Sequence, residues 1–277
     1  MKSHFLAQMF KTLLFGALIG GIVSEPAASA ESATFEQALQ GDHRDPGNRE
    51  RDKYRHPRET LQFFGLRPNM TVVEISPGRG WYTEILAPLL RAEGKLYVAG
   101  FGPVQPGMPE HAVRMQKEYE AKLKARPDIY DRVVPTSMQN PKEADFAPLG
   151  TADLVLTFRN VHNWMASGTA DDMFKAMYRA LKPGGTLGVV EHRAKPGTSL
   201  EVMKKSGYVT EDYVIALAEK AGFKLAGKSE INANPQDTKD YPEGVWTLPP
   251  TLRMGEKDRD RYLAIGESDR MTLKFTK

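Results

Sequence analysis

The residues best suited to ligand chemistry begin with a glycine-containing turn. Ser76-Pro77-Gly78-Arg79-Gly80 follows a β-branched run, residues 71–75, and precedes a segment with apolar residues at helical spacing. Glycine leaves the backbone bare, and free N–H groups at the start of a helix favour a carboxylate or a phosphate. The same pattern also marks an ordinary tight turn. A dinucleotide-binding turn has a third glycine where this chain has Thr83, so the pattern disfavours a nicotinamide cofactor.

A second polar group follows the fourth predicted strand. It reads Arg159-Asn160-Val161-His162-Asn163-Trp164. We predict His162 as a base that removes a proton from an acceptor molecule, with Asn160 and Asn163 orienting that molecule. Trp164 is suited to face a cationic group through its aromatic ring. A structural role is equally open, in which His162 caps the next helix and Trp164 packs in the core.

Two further segments are candidates for the same site. Glu191-His192-Arg193 ends the fifth predicted strand, where it either completes the wall of the site or forms a salt-bridged surface cluster. His162 and His192 both lie at strand ends, but no third ligand follows at a diagnostic spacing, so we predict no metal site. In the long connection of residues 232–270, Tyr241 and Trp246 are predicted to close over an acceptor. The alternative is a loop packed on the edge of the sheet.

These residues need a scaffold that brings strand ends together, and the hydrophobic pattern predicts one. Strands and helices alternate, which indicates a mostly parallel sheet with helices on both faces, a doubly wound α/β fold. Ligands in such sheets bind outside the carboxyl ends of the strands. The predicted strands are residues 71–75, 96–99, 132–134, 152–158, 186–191, 223–231 and 271–275, and the predicted helices are residues 57–64, 81–91, 109–125, 170–181 and 210–221.

Composition limits the classes of function. With 277 residues, of which 40% are hydrophobic, the chain can bury one sizeable core in a single domain. The formal net charge of +3 does not indicate nucleic-acid binding, and we expect a small-molecule partner instead. The absence of cysteine excludes disulfides, thiolate metal sites, a cysteine nucleophile and a lipidated cysteine. The sequence does not indicate an oligomeric state.

Residues 1–30 have the pattern of a secretory signal peptide. Lys2 and Lys11 supply positive charge, residues 12–23 are apolar, and cleavage is predicted after Ala30. The apolar run is shorter than the roughly 20 residues that span a bilayer, so we predict no stable membrane anchor and a periplasmic or secreted protein. Residues 31–56, where acidic residues interrupt basic ones, are predicted as a polar, solvated arm. Residues 57–277 are then the folded domain, with residues 232–270 as an insertion.

The order of the motifs resembles that of class I S-adenosylmethionine-dependent methyltransferases. The resemblance rests on residues 72–80, on residues 153–157, and on Ala180-Leu181-Lys182-Pro183-Gly184-Gly185 before a strand, and it extends from about Pro57 to the C-terminus. Within that superfamily the chain is similar to a group of predicted bacterial methyltransferases with Gly-Trp-Tyr-Thr-Glu after the turn. The resemblance implies a Rossmann-like sheet of strand order 3-2-1-4-5-7-6 with the last strand antiparallel, and S-adenosylmethionine as cofactor.

The resemblance also implies a set of site residues. Glu74, Gly78 and Gly80 match the motif that shapes the methionine side of the cofactor pocket. The family usually has an acidic residue at the end of the second strand to hold the ribose hydroxyls, whereas this chain has Ala99-Gly100-Phe101. The full predicted cofactor-binding set is Glu74, Ser76, Pro77, Gly78, Gly80, Trp81, Gly100 and Arg159, and the predicted substrate contacts are Trp164, Tyr241 and Trp246.

Two functions follow from these observations. The first is methyl transfer from S-adenosylmethionine to a small-molecule acceptor, with His162 as base. The second is a non-catalytic periplasmic ligand-binding protein that retains the methyltransferase fold. The missing ribose acid favours the second, and so does predicted export, because S-adenosylmethionine is made in the cytoplasm.

Overall fold

The computed structural model describes residue 1 and residues 33–277. The described residues from 33 onward lie in one compact unit, Glu31–Lys277. The predicted signal peptide, apart from Met1, lies outside the described residues. Within the described part of the chain, no helix is both long enough and apolar enough to cross a bilayer.

The centre of the fold is a mixed sheet in which most strands are parallel. The described residues form one seven-stranded sheet of order β3-β2-β1-β4-β5-β7-β6, and β7 pairs antiparallel with both β5 and β6. The predicted fold class and strand order are therefore confirmed. The strands are β1 (Thr71–Ile75), β2 (Lys95–Gly100), β3 (Val133–Ser137), β4 (Ala152–Phe158), β5 (Leu181–His192), β6 (Lys224–Ser229) and β7 (Arg270–Thr276).

Helices cover both faces of the sheet. Because side chains alternate along a strand, Val72 of β1 contributes to one hydrophobic cluster and Val73 to the other. The helices are α1 (Phe35–Gln40), α2 (Pro46–Arg49), α3 (Asp52–Arg55), α4 (Pro57–Phe64), α5 (Thr83–Leu90), α6 (Glu110–Ala125), α7 (Pro127–Tyr130), α8 (Val161–Ser167), α9 (Ala170–Ala180), α10 (Leu200–Ser206), α11 (Glu211–Lys220) and α12 (Arg259–Ile265).

The fifth strand begins earlier than the sequence predicts. Leu181 pairs with Ala152, the register then shifts, and regular pairing resumes where Thr186 meets Leu154. Helix α9 has already ended at Ala180, and the intervening Pro-Gly-Gly segment includes Gly184 in the left-handed region, with φ of 74°. The glycines therefore form an irregularity at the start of a longer strand rather than a loop before it.

The polar segment before residue 57 belongs to the folded unit. Of the predicted arm, residues 33–56 include α1, α2 and α3, and α1 packs against α5. Arg44 is 1% exposed and Arg55 is 3% exposed. The prediction of a solvated arm is therefore wrong for the residues that the structure describes. Arg44 lies 3.7 Å from buried Glu84, and Arg55 lies 3.2 Å from buried Glu267, so both charges have partners distant in sequence.

The insertion is packed onto the domain. It contains a 3-10 helix, Gly244–Thr247, as well as α12. Tyr241, Val245, Leu248 and Tyr262 form a buried cluster with Ala194 and Tyr208. The packed-loop alternative thus describes most of this segment.

Asp237 anchors the insertion through buried hydrogen bonds. Its carboxylate accepts from the Tyr208 hydroxyl at 3.0 Å, from the Asp269 N–H at 2.7 Å and from the Lys239 N–H at 3.0 Å. We expect Asp237→Ala to lower the free energy of unfolding by about 2–4 kcal/mol, because it leaves these donors without an acceptor. Asp240→Ala, at an exposed position nearby, is the control. Equal denaturant midpoints for the two variants in chemical unfolding would contradict this role.

Candidate active site at the carboxyl edge of the sheet

Two cavities meet at the turn after β1. The larger cavity, about 640 Å³, extends across the ends of β2 and β3 and along α6 and α8, and Gly100, Asn163 and Trp164 are on its wall. The second, about 290 Å³, is named the arginine cavity because Arg51, Arg55 and Arg159 line it. Both cavities are lined by Ser76, Pro77, Gly78 and Asn160.

The shared wall is exposed backbone. Ser76 and Gly78 both have left-handed conformations, with φ of 53° and 61°. A Cβ atom added at Gly78 would meet only the sulfur of Met115, at 3.8 Å, so no side chain of the protein covers this position closely. Gly80 differs, because an added Cβ would lie 3.0 Å from the Tyr119 ring. Gly78 thus leaves room for a ligand, whereas Gly80 is required by packing and lines neither cavity.

Glu74 is a buried carboxyl group on the wall of the arginine cavity. Its Oε2 accepts a hydrogen bond from the Thr83 hydroxyl at 2.6 Å. Burial raises its pKa from 4.5 to about 7, against the opposing effect of the Thr83 hydrogen bond. Glu74 is therefore close to half-ionised at neutral pH, and a cationic ligand nearby would favour its charged form. Thr83, which disfavours a dinucleotide-binding turn, orients this carboxyl group.

Asn160 lies where both cavities meet. Its amide donates to the Ile75 carbonyl at 3.2 Å and to the Thr157 hydroxyl at 3.1 Å. Within the described residues, its Oδ1 has no hydrogen-bond partner, so it is available to a ligand. Arg159 precedes it in a left-handed conformation, φ 61°, and its N–H donates to the Val190 carbonyl at 2.7 Å. The strained backbone at the end of β4 thus directs two consecutive polar side chains to the cavities.

The structure places His192, not His162, on a cavity wall. His162 lines neither cavity; its Nδ1 donates to Glu191 Oε1 at 3.0 Å, and its N–H donates to Glu191 Oε2 at 3.2 Å. His192 lines the arginine cavity, with Nδ1 2.6 Å from the Ser268 hydroxyl. Burial, and then the nearby His162 and arginines, hold the pKa of His192 well below its ordinary value. His192 is consequently neutral at pH 7, which leaves a lone pair on one ring nitrogen.

His162, Glu191 and His192 have ligand atoms within 4.8 Å of one another. The Glu191 carboxylate already accepts from the His162 ring, the His162 N–H and the His192 N–H, the last at 2.8 Å. The arginines that line the neighbouring cavity add positive charge, which disfavours a metal cation. The group therefore fits hydrogen-bonded support for two imidazoles better than a metal centre.

Aromatic side chains divide between the cavities and the core. Trp81 and Trp246 line the arginine cavity, and Trp164 lines the larger one while packing edge-on against Phe174. The structure does not bring Tyr241 to either cavity, because it is buried within the insertion against Tyr262. Of the three predicted substrate contacts, two therefore lie on cavity walls.

An amide lies where the resemblance implies an acid. Gly100 ends β2, and an added Cβ there would lie 3.5 Å from Gln116 Oε1. The Gln116 amide nitrogen donates to Glu120 at 2.9 Å, which leaves the oxygen toward Gly100. Both Gly100 and Gln116 line the larger cavity. Sequence reasoning missed Gln116, because nothing in the sequence of α6 distinguishes the polar residue that faces the cavity from its polar neighbours.

Comparisons with known proteins support the fold. The sequence matches no family model and no curated protein. A SAM-dependent methyltransferase from Aquifex aeolicus aligns with a TM-score of 0.54 at 16% identity, over 88% of this chain and 98% of that one. The [4+2]-cyclase SpnF aligns with a TM-score of 0.53 at 15% identity, over 86% of this chain and 84% of that one. At such identities the likeness shows the class I methyltransferase fold alone. Because one of these similar structures is a cyclase, the fold does not establish the reaction, and function must be argued from the site.

The raised pKa of Glu74 predicts a pH-dependent stability. A carboxyl group whose pKa is higher in the folded protein stabilises fully below its unfolded pKa, and that contribution is lost as pH rises through the folded pKa. For Glu74 the window runs from 4.5 to about 7. We expect the free energy of unfolding of the native protein to fall by about 3 kcal/mol across this window relative to Glu74→Gln. Denaturant unfolding of both proteins between pH 4 and pH 8 measures this, and parallel curves would refute it.

Proposed function

We propose that the chain transfers a methyl group from S-adenosylmethionine to a small-molecule acceptor. The observation that carries the proposal is the bare backbone at Gly78, in a wall shared by two cavities. A donor in the larger cavity and an acceptor in the arginine cavity would meet across this wall. Holding two reactants together in this way supplies much of the acceleration of such a displacement.

The walls offer suitable contacts to the donor. The apolar side chains of Trp164, Met138 and Met173 suit a planar base. Gln116 Oε1 can accept a hydrogen bond from a ribose hydroxyl, in place of the missing acid. Glu74 lines the arginine cavity rather than the larger one, and in its ionised form it would attract the positive charge of the donor from across the shared wall.

The residues of the arginine cavity can assist the acceptor. When bound, S-adenosylmethionine supplies a methyl carbon that transfers to a lone pair of the acceptor while the C–S electron pair stays on sulfur. Asn160 Oδ1 orients the acceptor by accepting a hydrogen bond. Nε2 of neutral His192 takes the acceptor proton when Nδ1 donates to Ser268, so His192 replaces His162 in the role of base. The His162–Glu191 pair contacts His192, because Glu191 accepts from the His192 N–H and the two imidazole centroids lie 5.3 Å apart.

We keep export as the sequence predicts it, although it favours the non-catalytic alternative because S-adenosylmethionine is made in the cytoplasm. The signal peptide pattern of residues 1–30 favours a periplasmic or secreted protein. We propose a small molecule as the partner, as the sequence analysis expects.

Gly78→Ala tests the shared wall. We expect the affinity for S-adenosylhomocysteine, measured by calorimetry, to fall roughly tenfold or more, because the new methyl group covers the backbone that the ligand contacts. Gly150→Ala is the matched control: its φ of 66° is close to that of Gly78, and nothing lies within 4 Å of the added atom. Undiminished affinity in Gly78→Ala would show that the turn is only structural.

Gln116→Ala tests the proposed ribose contact. Loss of one neutral hydrogen bond predicts a roughly fivefold weaker binding of S-adenosylhomocysteine. Lys117→Ala, on the exposed side of the same helix, should leave the affinity unchanged. An identical affinity in both variants would remove Gln116 from the site.

The non-catalytic binding protein is a second candidate, because no acidic side chain lines the larger cavity within the described residues. The same titration separates the two functions. Micromolar binding of S-adenosylhomocysteine to the native protein supports the methyltransferase, and no binding at millimolar ligand supports the alternative.

A further inference from the structure

The arginine cavity contains more cationic groups than its own acids can pair. Glu267 accepts from Arg51 Nε at 2.5 Å, from Arg55 Nε at 3.2 Å and from Arg270. Arg159 lines the same cavity and has no ion-pair partner among the described residues. Three guanidinium groups therefore share the Glu267 carboxylate and Arg159 pairs with none of the described acids, while burial raises the pKa of the second acid of the cavity, Glu74, to about 7.

Some of the nitrogen atoms of these arginines are buried without a partner. They are Nη1 of Arg55, whose side chain is 3% exposed, and Nη2 of Arg51. A buried donor without an acceptor costs about 1–3 kcal/mol, and more when the group is charged. Both side chains line the cavity, so a ligand with hydrogen-bond-accepting oxygen atoms could pair with these nitrogen atoms.

The pKa values of these arginines indicate the same excess of positive charge. Burial, and then Arg270, lower the pKa of Arg159 to about 10. Burial and the neighbouring Arg159 lower the pKa of Arg55 as well. Both shifts reflect positive charge gathered at one buried place, which an anion bound in the cavity would offset.

We propose that the acceptor carries an oxyanion group, a carboxylate or a phosphate, that binds between Arg51, Arg55 and Arg159. The inference rests on the proposed function, because it names the class of acceptor for that reaction. Guanidinium groups bind such oxyanions in a planar, two-pronged geometry. Because these contacts occupy the lone pairs of the oxyanion, the methyl-accepting atom is a different atom of the same molecule, near Asn160 and His192.

The donor also has a carboxylate, but its overall charge argues against it as the occupant. S-adenosylmethionine carries one carboxylate, one ammonium group and one sulfonium, so it is a net cation. An excess of arginine favours a ligand with net negative charge. On this assignment Arg159, which the sequence predicts as a cofactor contact, binds the acceptor.

The cavity size restricts the acceptor to a small molecule. The volume is about 290 Å³, and Trp246, Pro249 and Pro250 from the insertion form one side of it. Cavities of this order hold single small molecules. A nucleic-acid or protein chain could place no more than one base or side chain in it.

Arg159→Asn is the most informative variant. It breaks no ion pair among the described residues, and asparagine tolerates the left-handed conformation of this position. Arg253→Met is the matched control, because Arg253 lies over the Trp246 ring, 4.6 Å from its centroid, and does not line the cavity. The probe is inorganic phosphate, titrated by calorimetry at constant ionic strength with chloride as the balancing anion.

We expect phosphate to bind the native protein with a millimolar dissociation constant and Arg159→Asn to weaken it by about tenfold. Arg253→Met should bind phosphate as the native protein does. Absence of phosphate binding to the native protein, or equal loss in both variants, would overturn the proposal.

Two adenosine ligands distinguish the acceptor from the donor as the source of the anion. S-adenosylhomocysteine has a carboxylate and methylthioadenosine has none. We expect Arg159→Asn to change both affinities by less than twofold. A selective loss of S-adenosylhomocysteine binding would assign the arginines to the donor and overturn the inference. If phosphate binds through Arg159 but neither adenosine ligand binds the native protein, the anion site stands and the methyl-transfer proposal fails.

Discussion

The buried carboxylate of Glu267 is the interaction on which the arrangement of the site depends. It joins Arg51 and Arg55 from the N-terminal helices to Arg270 at the start of β7. Although burial raises the pKa of Glu267, the positive charges of Arg270, Arg55 and Arg51 hold it well below its ordinary value. The carboxylate is therefore ionised, and its loss would leave buried guanidinium groups facing one another without compensation. One side chain thus fixes both the docking of the N-terminal helices and the charge of the cavity that they line.

The second constraint is backbone geometry at the ends of two adjacent strands. Ser76 after β1 and Arg159 after β4 both adopt left-handed conformations that cost free energy for residues with a Cβ atom. Each turns the chain away from the sheet edge and leaves a gap between the strand ends. The larger cavity and the arginine cavity meet at this gap. The parallel pairing of β1 with β4 places the two turns side by side.

Sequence patterns predicted the elements whose signal is local. The apolar run of β4 and the helix Pro57–Phe64 are confirmed, and so is the strand order, which rested on the family resemblance rather than on a local signal. Ion pairing between distant segments has no such local signal: Arg55 and Glu267 are 212 positions apart. A pattern of mixed charge therefore predicted a solvated arm where the structure has buried arginines.

The same lack of a local signal explains why His192, and not the predicted His162, lines the cavity. The sequence correctly places His162 just after β4, at a strand end. Helix α8 begins at Val161, however, and the turn of that helix directs His162 to Glu191 rather than to a cavity. His192 ends β5 and faces the cavity, but its sequence neighbours resemble those of a surface cluster. Similarly, nothing local distinguishes Tyr241, which is buried, from Trp246, which lines the cavity.

Arg51, in the turn before α3, and Arg55, at the end of α3, belong to a segment ahead of the sheet, so the charge of the arginine cavity comes largely from outside the strands. The strands and the turn after β1 form one part of the site, and a stretch of a few helical turns forms another. Exchange of that stretch for one of different charge would change the charge of the arginine cavity, and it would also remove two partners of the buried Glu267 carboxylate. A change of charge in this leading segment is therefore coupled to position 267, whereas β1 and β4 can stay as they are.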